Sequence, residues 1–134
     1  MIELANIYLV KAEESLAGAE SEFVNTRYNN CANRCYYSAF QAAIAALIRE
    51  GISPSRGPQE QWSHKFVQAS FATELIRRRK RYPASMRDSL SDLLLARHSA
   101  DYKLDNVTER QASRAIQTAR QLVEAVGAGG GESA

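Results

Sequence analysis

Missing from this 134-residue sequence are a basic leader and any apolar run before Lys11: it opens MIELANIYLVKAEE. Neither a signal peptide nor a membrane span is expected, and a cytoplasmic location is the default. Cysteine and histidine are scarce, with two of each. Cys31 and Cys35 stand one helical turn apart. Cβ atoms at that spacing are about 5–6 Å from each other, beyond the roughly 3.5–4.5 Å that a disulfide requires, so both thiols should stay reduced. His64 and His98 lie far from them without ligand spacing, and no metal site is expected. A glycine-rich phosphate loop, a paired-cysteine motif and a serine nucleophile elbow are all absent, so no cofactor is expected either. An excess of one charge is lacking too. Lys and Arg number 17 against 15 for Asp and Glu, a net charge of +2, which sets up no long-range attraction for nucleic acid or anionic lipid. Any phosphate binding must come from local clusters of cations.

Strand-like alternation and internal repeats are also wanting, whereas helical periodicity runs nearly throughout. An all-α fold follows, as an up-and-down bundle of four main helices plus a short additional one. The length suits one domain, assigned to residues 1–126, with the glycine-rich residues 127–134 as a disordered tail. Ala5, Leu9, Ala12, Leu16 and Phe23 mark the buried stripe of the first helix. Asn29 or Asn30 is placed to cap the second helix, and Gly51 to end it in the left-handed conformation. Residues 52–62 read as a surface loop. Ser63 then caps a third helix with Phe66, Ala69, Thr73 and Ile76 on one face, stopped by Pro83. Ser85 with Asp88, and Thr108 with Gln111, have capping-box spacing and start the fourth and fifth helices. The core stripe of the fourth is Met86, Leu90, Leu93, Leu94 and Leu104, and that of the fifth is Ala112, Ile116, Ala119, Val123 and Val126.

Two arginines interrupt this apolar pattern. On the second helix Asn30, Arg34, Tyr37, Ser38 and Gln41 form one polar strip while Tyr36, Ala39, Phe40, Ala43, Ile44 and Leu47 fill most of the remaining surface. On the fourth, Arg97 falls inside the leucine stripe with Asp101 one turn on. An unpaired guanidinium in low dielectric costs several kcal/mol, so Arg97 must be paired, hydrogen-bonded or at the edge of a cavity. Two readings stand. Arg34 and Arg97 belong to an interior network with Asp101, Tyr37 and Tyr102 that fixes helix register, or they line a cleft suited to phosphate, with the guanidinium as a planar fork and tyrosine as a stacking face.

The string Ala32-Asn33-Arg34-x-Tyr36-Tyr37-x-x-Phe40-x-Ala42-Ala43, then Gly51, Ser63-His64-Lys65, and Arg97-x-x-Ala100-Asp101-Tyr102 resembles the HEPN domain family, in its stand-alone prokaryotic branch, from about residue 2 to residue 126. The resemblance implies a helical bundle, a homodimer, and a place in toxin–antitoxin or related defence systems, often beside a small nucleotidyltransferase partner. Many such proteins are metal-independent RNA endonucleases whose active site uses an Arg followed after four to six residues by a His. That spacing is absent. The positions that would serve His64 hold Gly57, Pro58 and Gln59, those that would serve His98 hold Ser91, Asp92 and Leu93, and the residues reached from Arg34 are Ala39, Phe40 and Gln41. Without a paired His the chemistry lacks a proton shuttle near neutral pH.

The expectation is therefore a non-catalytic module that dimerises and binds a nucleotidyltransferase, a nucleotide or RNA. Its binding face would carry Arg34, Tyr37, Gln41, His64, Arg97, Asp101 and Tyr102. The alternative is a divergent metal-independent ribonuclease in which His64 or His98 meets an arginine from another helix or subunit. A third feature is the block Arg77, Arg78, Arg79, Lys80 and Arg81. It reads either as a nucleic-acid backbone site or as solvated cations complementing a helix C-terminus.

Overall fold

The structure, a computed structural model, describes residues 2–54, 61–102 and 104–129. Gly57, Pro58 and Gln59, most of the expected loop, and residues 130–134 of the expected tail lie outside the described residues. The order is α1 (Ile2–Val24), α2 (Tyr28–Arg49), α3 (His64–Ser70) running directly into a π-wound segment (Phe71–Arg78), a 3-10 turn (Ala84–Met86), α4 (Ser89–Tyr102) and α5 (Glu109–Gly127). The fold is all α, with no strand among the described residues. Among the described residues no helix is long and apolar enough to cross a membrane.

Helix α2 is the central element, packed against α1, α4 and α5. Its alanines at 32, 39, 42, 43, 45 and 46 are all buried. Small side chains at a helix contact let the axes approach closely, and α1 answers with Ala5, Ala12 and Ala19, each fully buried and each seven residues from the next. Leu9, Leu16 and Phe23 pack around this alanine seam as partly buried neighbours. Cys31 and Cys35 are free thiols buried in the same core.

Local end signals are realised unevenly. Gly51 takes φ +77° after α2, the Ser63 side chain accepts from the Phe66 amide, and Thr108 with Gln111 closes a reciprocal capping box. The expected Asn29 or Asn30 cap is not formed. Arg27 precedes the helix without a side-chain cap, because Asn29 is drawn into a tertiary role: its Oδ1 accepts from the Val107 amide at 2.8 Å and its Nδ2 donates to Asn106 at 3.1 Å. Ser85 likewise does not start α4. It sits in the 3-10 turn after Pro83, and α4 begins at Ser89.

Two expected stripes are also corrected. The buried residues of α3 and its π-wound continuation are Val67, Phe71, Leu75 and Ile76, while Ala69 and Thr73 are exposed. In α4, Leu90 and Leu93 enter the core, but Leu104 lies beyond the helix end and is fully exposed. A stripe drawn across a helix end no longer follows one face.

Candidate functional site

Arg97 lies at the seam where α4 crosses α2. Its guanidinium carbon stands 5.4 Å from the ring centre of Tyr36 and 5.1 Å from that of Tyr37. Consecutive residues on a helix diverge by about 100°, so the Tyr36–Tyr37 pair offers two ring faces at an angle, here edge-to-face at 5.2 Å, and one cation sits against both. Asp101 flanks the guanidinium from one turn further along α4, its Oδ2 3.5 Å from Arg97 Nε, and the Asn33 amide reaches the same oxygen at 3.5 Å. At that separation the carboxylate neutralises Arg97 without hydrogen-bonding its Nε, which is buried and has no hydrogen-bond partner among the described residues. The side chain remains 29% exposed, so the outer edge of the fork is open to a ligand.

Tyr36 is the hub of this cluster. It is 3% exposed, stacks on Phe40 at 5.6 Å, and shares a hydrogen bond of 3.1 Å between its hydroxyl and Nδ1 of His64. His64 is brought there by the first turn of α3, which Ser63 caps. Burial holds the His64 imidazole below its ordinary value of 6.5, and burial raises the Tyr36 phenol above its own, against the opposing pull of Arg97. Desolvation penalises the charged form of each group, so both are neutral at pH 7. The cluster thus joins an arginine from α4 and a neutral histidine from α3 through a single phenol of α2.

The remaining expected site residues lie elsewhere. Arg34, Ser38 and Gln41 face α1 rather than α4. Gly18 of α1 leaves room beside the Arg34 stem, the Ser38 hydroxyl donates to the Ala12 carbonyl at 2.7 Å, and the Gln41 side-chain amide meets the Ser15 hydroxyl of α1 at 2.8 Å. Arg34 is exposed. The polar strip of α2 is therefore mostly a register contact with α1, and only Tyr37 belongs to the Arg97 cluster. Tyr102 is exposed at the end of α4, its ring centre 4.7 Å from that of His98 with the planes tilted by 41°. Asn33 and Tyr36, which the structure adds to the cluster, were absent from the expected binding face. The adjacent Tyr36–Tyr37 pair was the available signal, since its two rings cannot share one face.

In the basic block the five cations have unequal surroundings. Arg78 donates from Nη1 to both carboxylate oxygens of Glu74, at 2.9 and 3.0 Å, Arg79 is held by the Glu50 carboxylate and carbonyl, both at 3.1 Å, and Arg81 Nε is 3.5 Å from Glu50. Arg77 and Lys80 are exposed and make no ion pair among the described residues.

Compared with known proteins, residues 5–129 match the family model described as the HEPN domain. The chain is also 27% identical over 117 residues to a protein of Methanocaldococcus jannaschii named "Putative toxin MJ0605", covering 86% of this chain and 80% of that protein.

Proposed function

The chain belongs to the HEPN domain family, and on that basis we propose that it is the RNA-binding, non-catalytic member of a toxin-like pair, working as a homodimer beside a small nucleotidyltransferase. The observation that carries the binding role is the state of Arg97. Its Nε is turned inward, 3.5 Å from Asp101 Oδ2, while the side chain keeps 29% of its surface exposed, so the charge is held in place with part of the fork left available. Tyr37, half-buried beside that fork, adds an aromatic surface, and an arginine next to a partly open ring is a combination that receives a phosphate together with an unstacked base. The toxin-like setting is supported by the name of the archaeal relative.

A homodimer is supported by α1. Leu4, Ile7 and Val10 are 45%, 52% and 57% exposed and follow one another at three-residue steps, an apolar stripe that a second copy related by a two-fold axis would cover. The absence of catalysis is argued from the missing Arg–His spacing.

One observation favours a second reading, a divergent metal-independent RNA endonuclease. Arg97 packs on the ring of Tyr36 and His64 bonds its hydroxyl, so the two residue types such chemistry uses share one tyrosine as a neighbour despite their distance in sequence. Incubating the protein with single-stranded RNA in chelator separates the two. Intact RNA bound through Arg97 supports the binding module, whereas cleavage abolished by His64→Ala supports the nuclease.

A further inference from the structure

Two side-chain pairs, each of four-residue spacing, meet across the α2–α4 seam: Asn33 and Tyr37 on α2, Arg97 and Asp101 on α4. Residues four apart on a helix are neighbours on one face, so the four side chains form a single patch. Asp101 is exposed and the other three are half-buried. The patch therefore shows a guanidinium that only donates, a carboxylate that only accepts and the face of an aromatic ring. We infer that it selects guanine among the bases of a single-stranded RNA. The inference rests on the RNA-binding reading above and adds to it the base that is read.

The donor and acceptor order of the base edges carries the choice. The Watson–Crick edge of guanine sets one acceptor, O6, beside two adjacent donors, N1–H and N2–H. A carboxylate accepts from both donors at once, and a neighbouring guanidinium meets O6. Adenine and cytosine each offer a single donor group beside a ring-nitrogen lone pair, and uracil offers one N–H between two carbonyls. Against any of these, one carboxylate oxygen would face a lone pair. A polar group built to receive a particular edge rejects an analogue that leaves it unmatched.

The state of Asp101 fits this role. Its Oδ2 faces Arg97 Nε and the Asn33 amide, each at 3.5 Å, while its Oδ1 has no hydrogen bond or ion pair among the described residues. A short bidentate pairing with Arg97 would consume both partners. The long contacts leave the carboxylate oriented but able to accept. An ion pair serving α4 alone would need neither the Asn33 amide from α2 nor a ring beside it. Tyr37, held edge-to-face against buried Tyr36, supplies the surface on which an unstacked base lies while its edge is read.

The test is fluorescence anisotropy with short labelled uridine RNAs that differ only at one central base: guanine, adenine, cytosine, uracil or hypoxanthine, which lacks only the N2 amino group of guanine. Asp101→Asn exchanges one acceptor for a donor at an exposed position, and its circular dichroism spectrum is expected to match the wild type. The expected result is that the guanine RNA binds about tenfold more tightly than those with the other three standard bases, and that the hypoxanthine RNA loses about fivefold. In Asp101→Asn the ratio between guanine and the other bases should fall to about one, a change of preference that a merely structural role for the carboxylate would not produce. Guanosine monophosphate, as the free form of the same base, should compete only at concentrations about tenfold or more above those of the RNA. Equal affinity for all the RNAs would overturn this inference alone, leaving RNA binding in place. So would a guanine preference that persists in Asp101→Asn, a hypoxanthine RNA bound as tightly as guanine, or competition by the monophosphate at equal concentration. Failure to bind any of the RNAs would overturn the RNA-binding reading and this inference with it.

Discussion

At the scale of single residues, the hydrogen bond between Tyr36 and His64 carries two consequences. Tyr36→Phe keeps the ring that faces Arg97 but removes the hydroxyl, leaving Nδ1 of a part-buried imidazole without its partner. Denaturant unfolding should show a loss of about 1 kcal/mol. The second consequence concerns pH. Burial lowers the folded-state value of His64 beneath its ordinary 6.5, so below pH 6.5 the unfolded chain binds the proton more readily than the folded one. The slope of unfolding free energy against pH is then positive in that window. Stability falls as pH drops through 6.5 towards the folded-state value and is unaffected by this group at higher pH. A series of unfolding curves between pH 7.5 and pH 5 should show this component in the wild type and lack it in His64→Gln. An identical pH dependence in both proteins would mean that His64 is not held neutral by its surroundings.

At the scale of elements, the helices carry two removable costs. Gly18 stands in the middle of α1, and a Cβ there would meet only the Arg34 Cδ at 3.9 Å, an ordinary contact. Gly18→Ala should therefore stabilise the protein by about 0.5–1 kcal/mol, the helix-propensity difference between the two residues, as read from the shift of the denaturation midpoint. Lys80 terminates the π-wound segment with φ +52°, where glycine is the residue that avoids steric cost, while the Arg81 amide closes the end on the Leu75 carbonyl at 2.7 Å. Lys80→Gly should raise stability by about 1 kcal/mol, read from the same shift of the denaturation midpoint. These same elements mark how far local sequence signals reach. Gly51, Ser63 and the Thr108–Gln111 box were legible because each acts within three or four residues on the backbone beside it. Asn29 was misread because its side chain bonds Val107 and Asn106 across the fold, and a capping propensity yields to such a tertiary use. Thr73 was misassigned because π winding changes the rotation per residue, so the α-helical wheel no longer describes the buried face beyond Ser70, while in α3 itself the buried position is Val67 rather than Ala69. The Arg97–Asp101 pair was legible from its four-residue spacing, whereas the approach of His64 to Tyr36 joins residues 28 positions apart and depends on how α3 docks against α2.

At the scale of the whole molecule, one central helix organises everything that the functional reading uses. The α1 side of α2 is consumed by register contacts through Ser38 and Gln41, and its α4 side holds the Arg97 cluster. With the outer surface of α1 left apolar at Leu4, Ile7 and Val10, light scattering should give twice the 14.9 kDa chain mass. Ile7→Glu should return it to that of a single chain with its helical spectrum intact, and a monomeric wild type would remove the dimer from the account. The central claim is that Arg97, set between two phenols with its outer edge open, recognises RNA without cutting it. Its most direct measurement is the fluorescence anisotropy of a labelled single-stranded RNA in chelator, titrated with wild type and with folded Arg97→Ala, and followed by gel analysis of the same RNA. The account predicts affinity lowered about tenfold or more by the substitution, as expected for loss of one charge-assisted contact, with the RNA recovered at full length. Equal affinity in the two proteins, or RNA cleaved by the wild type, would contradict it.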